Sequence, residues 1–582
     1  MTGAAATERR RWRWGALWLA APALAFLAVF MVLPVGQLLS TSLRDAQTGS
    51  VTAAHYARLF QVDVYLRVLG ITFRIAGWTA LFSVLLGYPL AYWLARQPDG
   101  RRAKMLLLVL VPFWTSYLVK TFAWMIILGR RGILNSAAMD LGLIDSPLAL
   151  INNEFGVMVG MVHSMLPLAV LTMLPVMITV DARLAQAAAT LGAPPSRNFW
   201  LVHVPLSMPG VAAAGLLTYI TSLGFFIVPA LLGGRQQTML AQLILVQVLE
   251  LVNWPFAGAL AALMLVTALV TCLVYDRVFG LSSLSGDTSG GASHASWLRR
   301  GGLVAADGMG RLMAALAALT EPFGGRRLGP WLLPAYVAAV LVFLLFPLIV
   351  VIPMAFTSSS FLEFPPPGYS TRWFEAYLSS PVWIGATIRS FGVAFATAAL
   401  ATLIGAAAAF GLARSRSRLR GLVFAALLAP TIIPRIVIAV GLYYLFAQLG
   451  LVATDLGLVI GHTLLAIPFA LIAVAAVLKT YDWRLDQVAA TLGASRLQVV
   501  RLVTAPLIRG GLVAGFLFAF ITSFDELTVA LFVSGGLKTT LPKQMWDDMI
   551  MQLNPTLAAV SVVIFIVITV PLLLAERLRR PS

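Results

Sequence analysis

Apolar stretches long enough to cross a hydrocarbon layer recur along this chain, and no other feature narrows its fold as much. Residues 17–39, 71–94, 105–128 and 557–574 are four examples. A helix rises about 1.5 Å per residue, so each matches a bilayer core about 30 Å thick. Backbone groups inside lipid must pair internally, which leaves helices and closed barrels. Barrel strands alternate apolar and polar residues, and these runs do not. Roughly twelve runs reach the spanning length of about 20 residues, so the expected fold is an all-α polytopic membrane protein. Composition agrees: of 582 residues, 60% are hydrophobic and 11% charged, too few charges to cover a soluble surface of that size.

The formal charge of +18 invites a nucleic-acid reading, which the placement of the charges argues against. Arg9, Arg10, Arg11 and Arg13 precede the first apolar run, and Arg96, Arg101, Arg102 and Lys104 lie between the second and third. Further basic clusters are Arg183 with Arg197, Arg299 with Arg300, Arg326 with Arg327, 414–420, 484–509 and 577–580. They occupy every second connection, as expected for cytoplasmic loops. The other connections carry Asp45, Asp63, Asp140, Asp145, Glu363, Glu375, Asp547 and Asp548. Basicity thus reports a multi-pass topology with both termini cytoplasmic, and no nucleic-acid partner is expected. The run 14–39 is longer than a signal-peptide core and lacks an obvious small-residue cleavage site, so it reads as a retained first helix. Cys272 is the single cysteine, so no internal disulfide can form.

An internal repeat divides the chain. Asp181-Ala-Arg-Leu-Ala-Gln-Ala-Ala-Ala-Thr-Leu-Gly-Ala193 recurs as Asp482-Trp-Arg-Leu-Asp-Gln-Val-Ala-Ala-Thr-Leu-Gly-Ala494, 301 positions later. The same offset pairs Gly160 with Gly461, Pro167 with Pro468, Pro205 with Pro506 and Asn253 with Asn554. Upstream, Pro112 pairs with Pro430 and Gly132 with Gly450 at an offset of 318, so the first half holds 17 extra residues near 140–154. Chance similarity of apolar helices does not keep Gly, Pro, Arg and Gln at fixed spacing. Three parts follow: residues 1–280, a Gly/Ser/Ala-rich segment 281–330, and residues 331–582. The middle part reads as a flexible cytoplasmic tether, within which 308–319 fits a short amphipathic helix at the membrane surface.

The repeated segment is the most informative local feature. Alanine, leucine and glutamine favour a first helix. Gly192 or Gly493 is expected to end it, because glycine tolerates the left-handed turn that side chains disfavour. A second short helix, 196–203 or 496–504, then presents one apolar and one basic face. Such a rigid knob on the cytoplasmic side can transmit force from a partner.

This segment resembles the Glu-Ala-Ala loop of ABC importer permeases, whose glycine sits in the turn and whose next helix docks on the ATPase. The resemblance implies that Gly192, Ala193, Gly493 and Ala494 form the turns. It implies coupling helices over 197–202 and 497–502, with Arg197, Arg496, Pro205 and Pro506 in or beside them. Both halves carry glutamine, Gln186 and Gln487, at the family's leading glutamate. Elsewhere, 112–116, 132–135, 231–234 and 253–255 resemble the first permease of polyamine-type importers. Residues 364–374, 523–526 and 541–546 resemble the second. The chain is similar to the two permeases fused, six spans each. That implies a cytoplasmic ABC ATPase dimer carrying ATP and Mg, an extracytoplasmic binding protein, a small charged solute, and the bacterial inner membrane.

The residues themselves exclude some chemistry. No phosphate-binding Gly-x-x-x-x-Gly-Lys-Ser/Thr occurs; 534–539 lacks the spacing. His55, His163, His203, His294 and His462 show no ligand spacing, and no nucleophilic constellation stands out, so a transport component without a cofactor of its own is expected rather than an enzyme. Ionisable groups within spans are costly and so are functional candidates. Asp525, Glu526, Arg435 and Lys120 are the four. They either line the substrate path or tie helices together, as in an Arg435–Asp525 or Arg435–Glu526 pair. The first-half positions matching Asp525 and Glu526 hold Gly224 and Phe225, which departs from an acidic polyamine path. Amino-acid derivatives and other small charged solutes stay open. A secondary transporter also uses six-span halves, but has no use for paired cytoplasmic knobs.

Overall fold

The computed structural model describes residues 16–45, 48–279, 307–309, 311, 312, 315, 325–536 and 538–579. Among them eight helices are long and apolar enough to span a membrane, or up to 11 when each of three bent pairs counts as one span. The last helix, Thr556–Arg579, occupies the place that Trp254–Phe279 holds in the first half. Helices are named in chain order. The first half comprises α1 (Ala16–Thr41), α2 (Asp63–Ala95), α3 (Asp99–Trp114), α4 (Tyr117–Leu128), α5 (Glu154–Ile178), α6 (Ala182–Thr190), α7 (Pro195–Leu223), α8 (Ile227–Leu232), α9 (Leu240–Leu249) and α10 (Trp254–Phe279). The second comprises α11 (Gly325–Ala355), α12 (Pro381–Arg414), α13 (Arg420–Ile432), α14 (Arg435–Leu449), α15 (Asp455–Leu478), α16 (Arg484–Thr491), α17 (Arg496–Leu507), α18 (Arg509–Phe524), α19 (Thr528–Val533), α20 (Leu541–Met551) and α21 (Thr556–Arg579).

The repeat read from sequence is a repeat of structure. Short helices at Ala54–Gln61 and Arg372–Ser379 precede α2 and α12 at the 318 offset. Wide π-type turns at Phe199–His203 and Val500–Thr504 stand 301 apart. Each turn lies just ahead of Pro205 or Pro506. Proline has no N–H to donate and its ring crowds the carbonyl four residues back, so the helix widens there. The halves then differ. In the first, the coupling segment runs straight on into the span as α7, whereas α17 and α18 meet at 75°. The separate second helix expected in both knobs is therefore separate only in the second half.

The apolar run 105–128, expected to be one straight span, is bent by 90° between α3 and α4, and α13–α14 is bent by 91°. Pro434 at the second bend cannot donate a helical hydrogen bond and keeps Ile433 extended, with ψ of 128°. At the first bend Thr115 and Ser116 are extended, and the Ser116 side chain caps α4 by accepting from the Leu118 N–H.

The opening helix of each half packs on the other half. Carbons added at Gly411 of α12 and Gly441 of α14 would lie 2.6 Å from the Ala16 carbonyl oxygen and 3.2 Å from Pro34. Reciprocally, Tyr336 of α11 donates to the Leu86 carbonyl at 2.9 Å, and a His163 ring nitrogen lies 3.1 Å from the Leu344 carbonyl. The two halves interlock, and one contiguous core runs through both.

Most of the expected tether 281–330, with its candidate helix 308–319, lies outside the described residues, as do His294 and the basic groups at 9–13, 299 and 300. Two corrections are visible at its described ends. Helix α11 begins at Gly325, so 325–330 belongs to a helix. Asp307 also holds the first knob: its carboxylate lies 2.9 Å from Arg197 and 2.7 Å from Arg311.

Candidate functional site

Two knobs project from the end that carries the basic loops. Helix α6 ends at Thr190 and α16 at Thr491, and each is followed by a leucine and then a glycine. Gly192 has φ +82° and Gly493 φ +88°, a region open to glycine and costly for branched side chains. The leucines at the tips, Leu191 and Leu492, are 89% and 81% exposed. Gln186, Gln487 and Arg496 are exposed, Arg197 is half-buried, and Ala193 and Ala494 follow the turns.

Each knob is tied to its own second span by different chemistry. In the second half Asp486 is buried, pairs with Arg414 of α12, and accepts from Tyr481 Oη at 2.6 Å and Thr504 Oγ1 at 2.9 Å. The Arg414 guanidinium lies over the Trp483 ring at 4.8 Å. Burial, and then the carboxylate it donates to, push the Tyr481 phenol above its ordinary value, so it remains a donor. In the first half Ala185 replaces that carboxylate, and Tyr92 of α2 instead packs against Phe199 and His203 at 5.1 and 4.6 Å. Replacing Asp486 with alanine is expected to destabilise the second knob by about 3 kcal/mol, since it strips a buried cluster of its acceptor. Thermal unfolding of the purified protein should show the drop, whereas Asp482→Ala, at an exposed position, should shift the midpoint far less.

At the middle of the molecule, the two bends meet the ends of α7 and α18. Gly224 follows α7, and a carbon added there would lie 3.1 Å from Pro434 Cβ and 3.8 Å from the Arg435 nitrogen. Across the pseudo-symmetric contact, Asp525 follows α18 and faces the Ser116 side chain and the Tyr117 backbone. About two turns of α18 nearer the basic end, Phe518 stacks on Trp114 of the opposite half at 5.0 Å and 12°.

The four charges selected from sequence separate here. Arg435 opens α14 and is exposed; Asp525 is half-buried. Lys120 is buried in α4, donates to the Pro112 carbonyl at 3.2 Å and lies 4.2 Å from the centre of the Tyr117 ring, holding the bend. Glu526 is 1% exposed and accepts from the backbone N–H groups of Thr528, Val529 and Ala530 at 3.0, 2.7 and 3.4 Å. It caps α19. The acidic pair, expected inside a continuous span, thus lies in the break between α18 and α19. Among the described residues no direct ion pair within 4.0 Å joins Arg435 to Asp525 or Glu526, although its charge acts on both.

At the opposite end, a cleft of about 530 Å³ opens between the halves. Arg130, Arg131, Ser136 and Met139 line one wall, and Glu363 with the following prolines lines the other.

A family profile described as binding-protein-dependent transport system inner membrane component matches residues 401–580, a stretch holding Arg435, the second knob and Asp525. The spermidine/putrescine transport permease PotB of Haemophilus influenzae is 31% identical over 258 residues, which are 44% of this chain and 90% of that protein. This chain belongs to the binding-protein-dependent transport permeases. PotC of Escherichia coli K12 is 28% identical over 254 residues, again 44% of this permease and 96% of the relative. A solved bacterial alginate ABC transporter, in complex with an alginate pentasaccharide-bound periplasmic protein, aligns at 18% identity over 46% of the permease and 94% of its own chain, with a TM-score of 0.40. Each relative has about the length of one half, consistent with two such permease units joined in one polypeptide, an inner-membrane transport component.

Sequence reasoning missed several residues of the centre. The Trp114–Phe518 stack has no local signature, because its rings come from different halves. The Asp486 cluster did have one: at the 301 offset, an aspartate stands against Ala185.

Proposed function

We propose that this chain is the complete translocation unit of an ABC importer, with both knobs docking on a cytoplasmic ATPase dimer that supplies ATP and Mg, and both termini on that side. The observation that carries the reading is the pair of exposed tips. Two glycine-turned knobs, 301 residues apart, each hold a leucine in solvent at the basic end. Large exposed apolar groups on a rigid protrusion suit a partner's groove. Closure of the ATPase dimer would draw the knobs together, rock the interlocked halves, and part Trp114 from Phe518 so that a small charged solute can pass. Its supply falls to an extracytoplasmic binding protein, for which the cleft between Arg131 and Glu363 at the opposite end offers a docking place.

The direct test is co-purification. The permease should pull down an ABC ATPase, and the complex should hydrolyse ATP faster when loaded binding protein is added. A permease that drives uptake under an ion gradient without any ATPase would establish a secondary transporter instead.

The three-part division is a proposal of the same kind. Residues 1–280 and 331–582 act as two permease units and 281–330 links them. A protease site inserted near Gly290 and then cut should leave both fragments co-purifying, because α1 and α11 are each seated on the opposite half. Uptake should stay within about twofold of the uncut protein, since the joining contacts are folded-state packing rather than the link itself. Loss of uptake with the fragments still associated would give the link a role of its own.

A further inference from the structure

We infer that the central path is built for a solute carrying an anionic group together with a cationic one, not for a simple polycation; this rests on the reading of the chain as an importer permease. The deciding group is Arg435. It stands where the bent span α13–α14 passes between the halves, next to Gly224 of α7, and its charge reaches Tyr117, Asp525 and Glu526. It lies beside the first half at Gly224 and Tyr117, and its side chain is exposed and makes no direct hydrogen bond or ion pair among the described residues. Asp525 and Glu526 act on its charge without a direct contact, so its guanidinium donors are left to solvent. A partner that arrives from solution and leaves again would account for it.

The neighbouring charges sharpen the class. Asp525 is half-buried, faces the opposite half, and is not in direct contact with Arg435, so an acceptor for a cationic group stands near but apart. Lys120 adds a second fixed positive charge behind it, with its ammonium on the Pro112 carbonyl. Glu526 also acts on Arg435 from a distance, but its carboxylate oxygens are taken by three backbone N–H groups. A diamine would place one ammonium on Asp525 and bring the other toward Arg435, with like charges opposed. A solute with a carboxylate or comparable oxyanion at one end matches Arg435, whose planar fork suits such groups. The Trp114–Phe518 stack lies on the basic-end side of this site.

The test uses the full-length chain with its ATPase in nanodiscs, without the binding protein, so that capture does not mask the path. Three matched four-carbon probes are titrated by calorimetry: γ-aminobutyrate with both charges, putrescine with two positive, and succinate with two negative. γ-Aminobutyrate is expected to bind most tightly. Arg435→Gln should weaken γ-aminobutyrate and succinate by about tenfold, the order of one charge-assisted contact, and improve putrescine. Asp525→Asn should weaken γ-aminobutyrate and putrescine but not succinate. Putrescine binding best, an Arg435→Gln variant indistinguishable from wild type, or no probe binding at all would each overturn the inference. Stimulation of ATP hydrolysis by loaded binding protein is recorded on the same nanodiscs; if that fails, the importer reading itself falls, whatever the probes do.

Discussion

Valine at both Gly192 and Gly493 is expected to abolish ATP-driven uptake while leaving the permease folded in the membrane. Both glycines have φ near +85°, and nothing lies within 4 Å of where a Cβ would stand. The obstacle is therefore the backbone itself. A left-handed conformation costs an ordinary residue roughly 1–2 kcal/mol, and a branched one more, so the turn opens and the tip moves. The remainder of each knob has its own ties, through Asp486 in one half and Tyr92 in the other, and the spans do not depend on the turn. Stimulated ATP hydrolysis should fall more than about tenfold, because two misdirected contacts each forfeit about 1.4 kcal/mol or more of docking. Asparagine tolerates the same conformation, and Gly192→Asn with Gly493→Asn should retain most activity. Normal uptake by the double valine variant would remove the coupling assignment.

The second large effect is structural. Glu526→Ala should leave little folded permease, because three N–H groups at the start of α19 lose their acceptor where no water replaces it. Each unsatisfied buried donor costs about 1–3 kcal/mol, so the sum reaches several kcal/mol. Glu526→Gln keeps one acceptor oxygen and should fall between. Asp525→Asn should stay closer to wild-type abundance, since Asp525 is only half-buried and asparagine keeps an acceptor oxygen for the Ser116 side chain and the Tyr117 backbone that it faces. Membrane abundance and the unfolding midpoint in detergent measure all three. Equal abundance of Glu526→Ala and wild type would mean that α19 does not need its cap.

These two cases show where the sequence is transparent. Helical class, the register of the halves and the turn glycines are carried by residues close along the chain. Apolar length sets a span, and a glycine after a helix former sets a left-handed stop. Repetition at 301 and 318 marks the same information twice, which is why α6 and α16, or Phe199–His203 and Val500–Thr504, stand in register.

Burial and partnership were decided only in three dimensions. Asp525 and Glu526 are neighbours in sequence, and both read as ionisable groups within a span. The break after Phe524 sends one carboxylate toward the opposite half and folds the other back onto α19. Lys120 and Arg435 also look alike as lone cations. The bend at Thr115–Ser116 supplies Lys120 with a freed carbonyl, whereas Arg435 sits at the bend after Pro434 with no such partner. The crossing of α1 and α11 onto the opposite halves has no local signal either, because an apolar face does not record which apolar face it will meet. The hydrophobic contribution is non-directional, so sequence fixes that these surfaces are buried. Only the packed arrangement of both halves determines against what, and so which charges are left to meet the solute.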